Sequence, residues 1–153
     1  MFFFLVFSCS TDNNSDDDVA VEESPIIGFW KFTDIETSST TIESVFVQAA
    51  IIGLVESGCD IATLDFNNDM TLETTVALFE NEESYTECPK EVASETTVWK
   101  LDGDQLSFVD EELTTQTITI ELTEYTLIVP SEVFEGEDVA DLLPGSSLIF
   151  TKE

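Results

Sequence analysis

Three cysteines and a surplus of carboxylates carry most of the chemical potential of this chain, and histidine is absent. Without imidazole, the commonest general base and the commonest metal ligand are both missing. A Ser-His-Asp triad, a Cys-His dyad and most zinc or haem sites are excluded, and no metal or other cofactor is expected. Cys9 stands at the end of an apolar N-terminal run, whereas Cys59 and Cys88 lie inside the part expected to fold. An odd count in an exported chain asks for a separate role for one thiol. The economical arrangement modifies Cys9 and pairs Cys59 with Cys88, a bridge contributing roughly 3–4 kcal/mol in the chain-entropy model. Buried free thiols are the alternative. The spacing fits no C-x-x-C metal or redox pattern.

The carboxylates outnumber the cations by 33 Asp and Glu to 4 Lys and Arg, a formal charge of −29. Nucleic-acid binding needs a basic footprint, and this chain has none. Anionic headgroups are repelled too, so any membrane attachment must be hydrophobic. The plain reading of the acid is a solvated, repulsive surface; a saline habitat or loosely held cations are the functional readings. Paired carboxylates hydrolyse glycosides in some enzymes, but chance proximity is expected among so many acids, and the chain is not expected to be an enzyme. Asp65-x-Asn67-x-Asp69-x-Thr71 echoes a calcium loop but lacks its glycine and its final Glu, so a hairpin turn is expected there.

The elements that would position these groups follow in chain order. Residues 1–8 read as a signal peptide, shortened at its start, whose apolar run Met1–Phe7 is too short to span a bilayer. Val6-Phe7-Ser8-Cys9 resembles a bacterial lipobox, which makes Cys9 the expected site of lipid attachment. Residues 9–24 are polar, acidic and free of aromatics, the composition of a disordered tether. Acidic residues soon after the cysteine resemble the start of mature surface lipoproteins of Bacteroidetes-type bacteria.

Residues 25–153 form the expected domain, all-β apart from one early helix. The first strand, Ile26–Ile35, places Gly28, Trp30 and Phe32 on one face and Ile27, Phe29 and Lys31 on the other. Both faces are partly apolar, so a cover is expected outside. Ile42–Ser57 changes to helical spacing, with Thr40 and Glu43 at capping-box distance. Ile42, Val45, Phe46, Ala49 and Ile52 make its stripe, but Val47, Ile51 and Leu54 fall outside it. Such a helix should be buried on more than one side. Strands are then expected at 61–66, 70–79, 95–101, 105–109, 114–122, 125–129 and 147–152, making eight with the first. Asn67-Asn68-Asp69 and Asp102-Gly103-Asp104 supply tight turns, and Met70, Leu72, Val76 and Leu78 are expected to share a face.

Eight strands with sequential turns suit an up-and-down antiparallel β-barrel. Gly28-Phe29-Trp30, the early helix, Leu64-Asp65-Phe66-Asn67-Asn68-Asp69 and Trp99-Lys100-Leu101-Asp102-Gly103-Asp104-Gln105-Leu106, with the closing Leu148-Ile149-Phe150-Thr151-Lys152, resemble the lipocalin-like lipoproteins of Bacteroidetes-type bacteria. The resemblance implies a lipocalin-like barrel at the outer membrane, facing the periplasm or the surface, with Trp30 packed at its closed end. The function expected first is a non-catalytic module whose cavity, lined by Trp30, Phe32, Leu72, Val76, Trp99 and Phe108 and gated by Phe46, holds a small apolar ligand. The competing expectation is a packed barrel acting as a structural or interaction lipoprotein with a protein or glycan partner. The membrane is met through the lipid on Cys9, nucleic acid is not a partner, and a monomer is expected.

Overall fold

In a computed structural model of the chain, the residues described are 24–78, 87–109, 112–134, 143 and 145–153. The segment expected to be a signal peptide, Cys9 and the expected tether up to residue 23 lie outside them, as do Phe79, most of the acidic loop after it, and Leu142.

Strand β1 (Gly28–Glu36) is followed by helix α1 (Ile42–Glu56), and then by β2 (Ala62–Phe66), β3 (Thr71–Leu78), β4 (Glu91–Asp102) and β5 (Gln105–Val109). The chain continues through β6 (Thr115–Thr119), β7 (Glu121–Leu122), β8 (Thr126–Pro130), a 3-10 turn (Ser131–Phe134) and β9 (Ser147–Lys152). These form one antiparallel sheet in the order β6-β5-β4-β3-β2-β1-β9-β8-β7. Nine strands stand where eight are expected, because the segment 114–122 divides. Its first half pairs with β5, Thr117 opposite Ser107, and its second with β8, Leu122 opposite Leu127. The buried Ile120 separates the halves, its N–H donating to the Asp104 carbonyl at 2.9 Å. One stretch of chain thus forms both margins of the sheet, and the barrel is nearly closed.

Because all pairings are antiparallel, the connections alternate between two ends. The turns at 67–70, 103–104 and 123–125 lie at one end, with the start of β1 and the finish of β9. Helix α1, the β3–β4 connection and the β8–β9 connection lie at the other.

The core gathers residues that alternate along the strands: Ala62, Leu64 and Phe66 on β2, Leu72 and Val76 on β3, Leu127 and Val129 on β8, Leu148 and Phe150 on β9. On β1 the buried set is Trp30, Phe32 and Ile35, which breaks the two-residue period. A shift in register between Phe32 and Asp34 against β9 supplies the extra residue, as a β-bulge does, and turns Ile35 inward. Phe29 on the outer face is exposed and no helix among the described residues covers it, contrary to the cover expected there.

Helix α1 begins at Ile42, as expected, and differs only in which threonine caps it. Thr41, not Thr40, accepts the Ser44 N–H at 3.2 Å, and Ser44 stands at the capping-box position in place of Glu43. At its other end, Gly58 adopts φ 95°, which favours glycine, and Cys59 and Gly58 donate to Leu54 and Val55 at 3.0 and 2.9 Å. That pair of bonds is a Schellman stop. The helix buries Ser44, Val47, Ile51 and Leu54, so Ile42, Val45, Phe46 and Ala49 of the expected stripe are left outside, and Ile52 alone of that stripe packs partly against the core. Ala50, Ile52 and Val55, flanking the buried face, are partly buried against the core. Gln48, beside that face, donates Nε2 to the Ile35 carbonyl at 2.7 Å. Met70 likewise leaves the expected inward set: it sits in the hairpin with φ 67° and is exposed. Leu78 is exposed, and its neighbour Ala77 is buried in its place.

Candidate functional site

Five of the side chains expected to line a cavity come together inside the barrel. Trp30, Phe32, Leu72, Val76 and Trp99 are 0, 1, 5, 7 and 5% exposed. A space wide enough for a ligand would leave accessible area on the side chains facing it, and these have almost none. Neighbouring side chains fill the volume instead. Phe66 meets Trp99 edge to face at 5.4 Å, and Phe32 meets Phe150 the same way at 5.8 Å. Such aromatic pairs pack as cores do. Phe108 is partly buried, opposite Trp99 in the ladder. Phe46 does not join the group. It is 66% exposed on the outer face of α1, so it closes no opening to the interior.

Both tryptophans use their polar edge structurally. Trp30 Nε1 donates to the Ile26 carbonyl at 2.7 Å, and Trp99 Nε1 to the Thr71 carbonyl at 3.0 Å. No buried side-chain polar atom lacks a partner among the described residues. Trp30 lies at the turn-bearing end, where Lys152 completes a clamp. Its Nζ sits 5.3 Å from the Trp30 ring and donates to the Pro25 carbonyl at 3.0 Å. Gly28 makes room for it, since a Cβ there would stand 2.8 Å from Lys152 Cε, and its φ of 130° favours glycine. The sequence names Lys152 only as part of the closing strand, and nothing local there marks its contact with Trp30.

The opposite end is more open. A groove of about 550 Å³ runs between the end of β1, α1 and the start of β9, lined by Ile35, Glu36, Thr37, Ser38, Gln48, Gly145 and Ser147. Among the described residues its lining holds one carboxylate, Glu36. Cys59 and Cys88 form a disulfide across this end, Cα to Cα 5.3 Å, tying the stop of α1 to the β3–β4 connection. Lys31 pairs with Asp60 just before β2; the hydrogen bond to that carboxylate, with its charge, pushes the ammonium pKa up.

The hairpin at Asp65–Thr71 is a turn, as expected. Asp69 Oδ1 accepts the Thr71 N–H at 3.0 Å and the Thr71 hydroxyl at 2.5 Å, and these bonds hold its carboxyl below the usual range. Among the described residues, no cluster of three or more Cys, Asp or Glu is placed to hold a metal ion. No helix among them is long and apolar enough to cross a membrane, a finding that does not bear on β-barrels.

The observed architecture is that of a nearly closed antiparallel barrel with one helix over its open end. Comparison with known proteins finds no matching family model and no matching curated protein. Among solved structures, the chain is similar to a lipocalin-like protein from Bacteroides uniformis, with 11% identity and a TM-score of 0.46, over 85% of this chain and 100% of that one. It is also similar to an uncharacterized protein from Bacteroides eggerthii, with 11% identity and a TM-score of 0.44, over 83% of this chain and 98% of that one.

Proposed function

We propose that this chain is a non-catalytic, lipocalin-like interaction lipoprotein, held at a bacterial outer membrane by a lipid on Cys9. In this reading the barrel is a packed scaffold and the helix-bearing end is its working surface. The observation that carries it is the near-zero exposure of Trp30, Phe32, Leu72, Val76 and Trp99, together with the apolar face that α1 leaves uncovered. A filled interior leaves binding to the outside, and an exposed apolar surface rimmed by polar groups is a common feature of interaction sites. The tether would enter at the turn-bearing end, where β1 starts.

A second reading, a small apolar ligand inside the barrel, draws support from the groove at Ile35 and Ser147, which adjoins the mouth. The two are separated by native mass spectrometry of protein purified from its own host. The packed reading expects the polypeptide and its covalent lipid alone. A stoichiometric, non-covalently retained apolar molecule would overturn it. The anchor is tested apart from this: Cys9→Ala should move the protein out of the membrane fraction, and unchanged fractionation contradicts lipidation.

A further inference from the structure

Helix α1 offers an unpartnered stripe. Ile42, Val45, Phe46 and Ala49 recur at helical spacing on one face, with Ile42 91%, Val45 52% and Phe46 66% exposed. A helix of this size normally turns its apolar stripe inward, and α1 does so with Val47, Ile51 and Leu54. The second stripe has no neighbour among the described residues, although it exposes a phenylalanine and two β-branched side chains.

The surroundings of the stripe are acidic. Glu43 and Glu56 lie on the helix and are exposed, and Glu36 is exposed at the end of β1. The Cys59–Cys88 disulfide brings the exposed Glu87 to the helix's C-terminal side. Lys90 is the described cation of that connection, in a chain of net charge −29.

Resting on the reading of the barrel as a packed scaffold, we infer that this face docks a cationic protein whose contact surface has an apolar centre ringed by Lys or Arg. Charge selects that occupant. A second copy would bring an equal negative charge and the same carboxylates against the stripe, which like-charge repulsion disfavours. Anionic lipid headgroups meet the same repulsion. A cationic partner gains from both features: its charge speeds encounter with the acidic end, and the apolar stripe holds what arrives. Aromatic anchors at the centre of an interface carry most of its energy, and Phe46 is the anchor here.

The test uses the whole mature protein and three synthetic helical peptides: one of Leu and Lys, one of Leu and Glu, and one of Lys and Ser. Binding is read by calorimetry for the wild type and for Val45→Ser with Phe46→Ser. The positions are exposed, so the double variant should keep its fold, and its melting curve checks that. The Leu/Lys peptide should bind the wild type about tenfold or more tighter than the double variant, the loss of one interfacial anchor. Raising NaCl from about 50 to about 500 mM should weaken that binding severalfold, as screening of the steering charge requires. The Leu/Glu and Lys/Ser peptides should bind poorly. Failure of the Leu/Lys peptide to bind, or equal binding to the variant, overturns the inference, as does equal binding of either control peptide. Sedimentation showing a wild-type dimer that the double variant abolishes would give the face to a second copy and overturn it too. The packed-scaffold reading fails on a different measurement, retained ligand in the native mass spectrum, so the two failures are distinguishable.

Discussion

Replacing Cys88 by Ser opens the link between the end of α1 and the β3–β4 connection. The bridge joins positions 29 apart in sequence, Cys59 buried and Cys88 exposed. A loop of that length restrains the unfolded chain by about 3.6 kcal/mol at 25 °C on the chain-entropy relation. The variant leaves one thiol in the core, which packs as a small hydrophobe, so little native-state cost adds to this. For a domain of about 130 residues, the unfolding entropy near the midpoint is about 0.27 kcal/mol/K, so the melting temperature should fall by roughly 10–15 °C. Circular dichroism melts of the two proteins, with and without a thiol reductant, measure it. Reductant should lower the parent to the level of the variant and leave the variant unchanged. A fall of under about 3 °C, or a variant that reductant destabilises further, refutes the entropic account of the bridge.

Three further outcomes follow from single positions. Met70 holds φ 67° in the β2–β3 hairpin while exposed, so Met70→Gly should raise stability by about 0.5–1 kcal/mol in urea titration; an unchanged midpoint contradicts the assignment of strain. Gly28→Ala should lower it by about 1–2 kcal/mol, because the φ of 130° favours glycine and a Cβ would crowd Lys152 Cε; an unchanged midpoint would show that position 28 accepts a side chain without strain. Asp69 titrates below its ordinary range because of its bonds to Thr71, so its contribution is present above the unfolded-state pKa and is lost as pH falls through the lower folded value. The stability gap between the parent and Asp69→Asn should therefore be larger at neutral pH than at strongly acidic pH, and a gap independent of pH would remove the carboxylate's role.

The strands were legible because alternation is a local property. Ala62-Leu64-Phe66 and Leu106-Phe108 declare their faces within a few residues. What escaped depends on neighbours brought in from elsewhere. The bulge that turns Ile35 inward arises against β9, more than a hundred residues away, and nothing near Thr33 marks it. The split at Ile120 exists only because β5 and β8 meet the same segment from opposite sides. For α1 the difficulty was chemical. With apolar residues nearly all round, the pattern names no single buried face, and the face that meets the core is set by tertiary packing of Val47, Ile51 and Leu54 beside the bond from Gln48 to Ile35. The interior members of the candidate site followed from strand alternation, Phe46 was lost with the helix face, and Lys152 over Trp30 required the closed barrel to be seen.

The claim that the barrel is a filled scaffold is tested most directly by removing volume from its centre. Leu72 is buried opposite Phe66's backbone ladder position, and its side chain belongs to the same core as Trp99. In a packed interior, Leu72→Ala should lower the unfolding free energy by about 2–5 kcal/mol, measured by denaturant titration. A loss below about 1 kcal/mol would mean that the side chain faced open space, and would contradict the account.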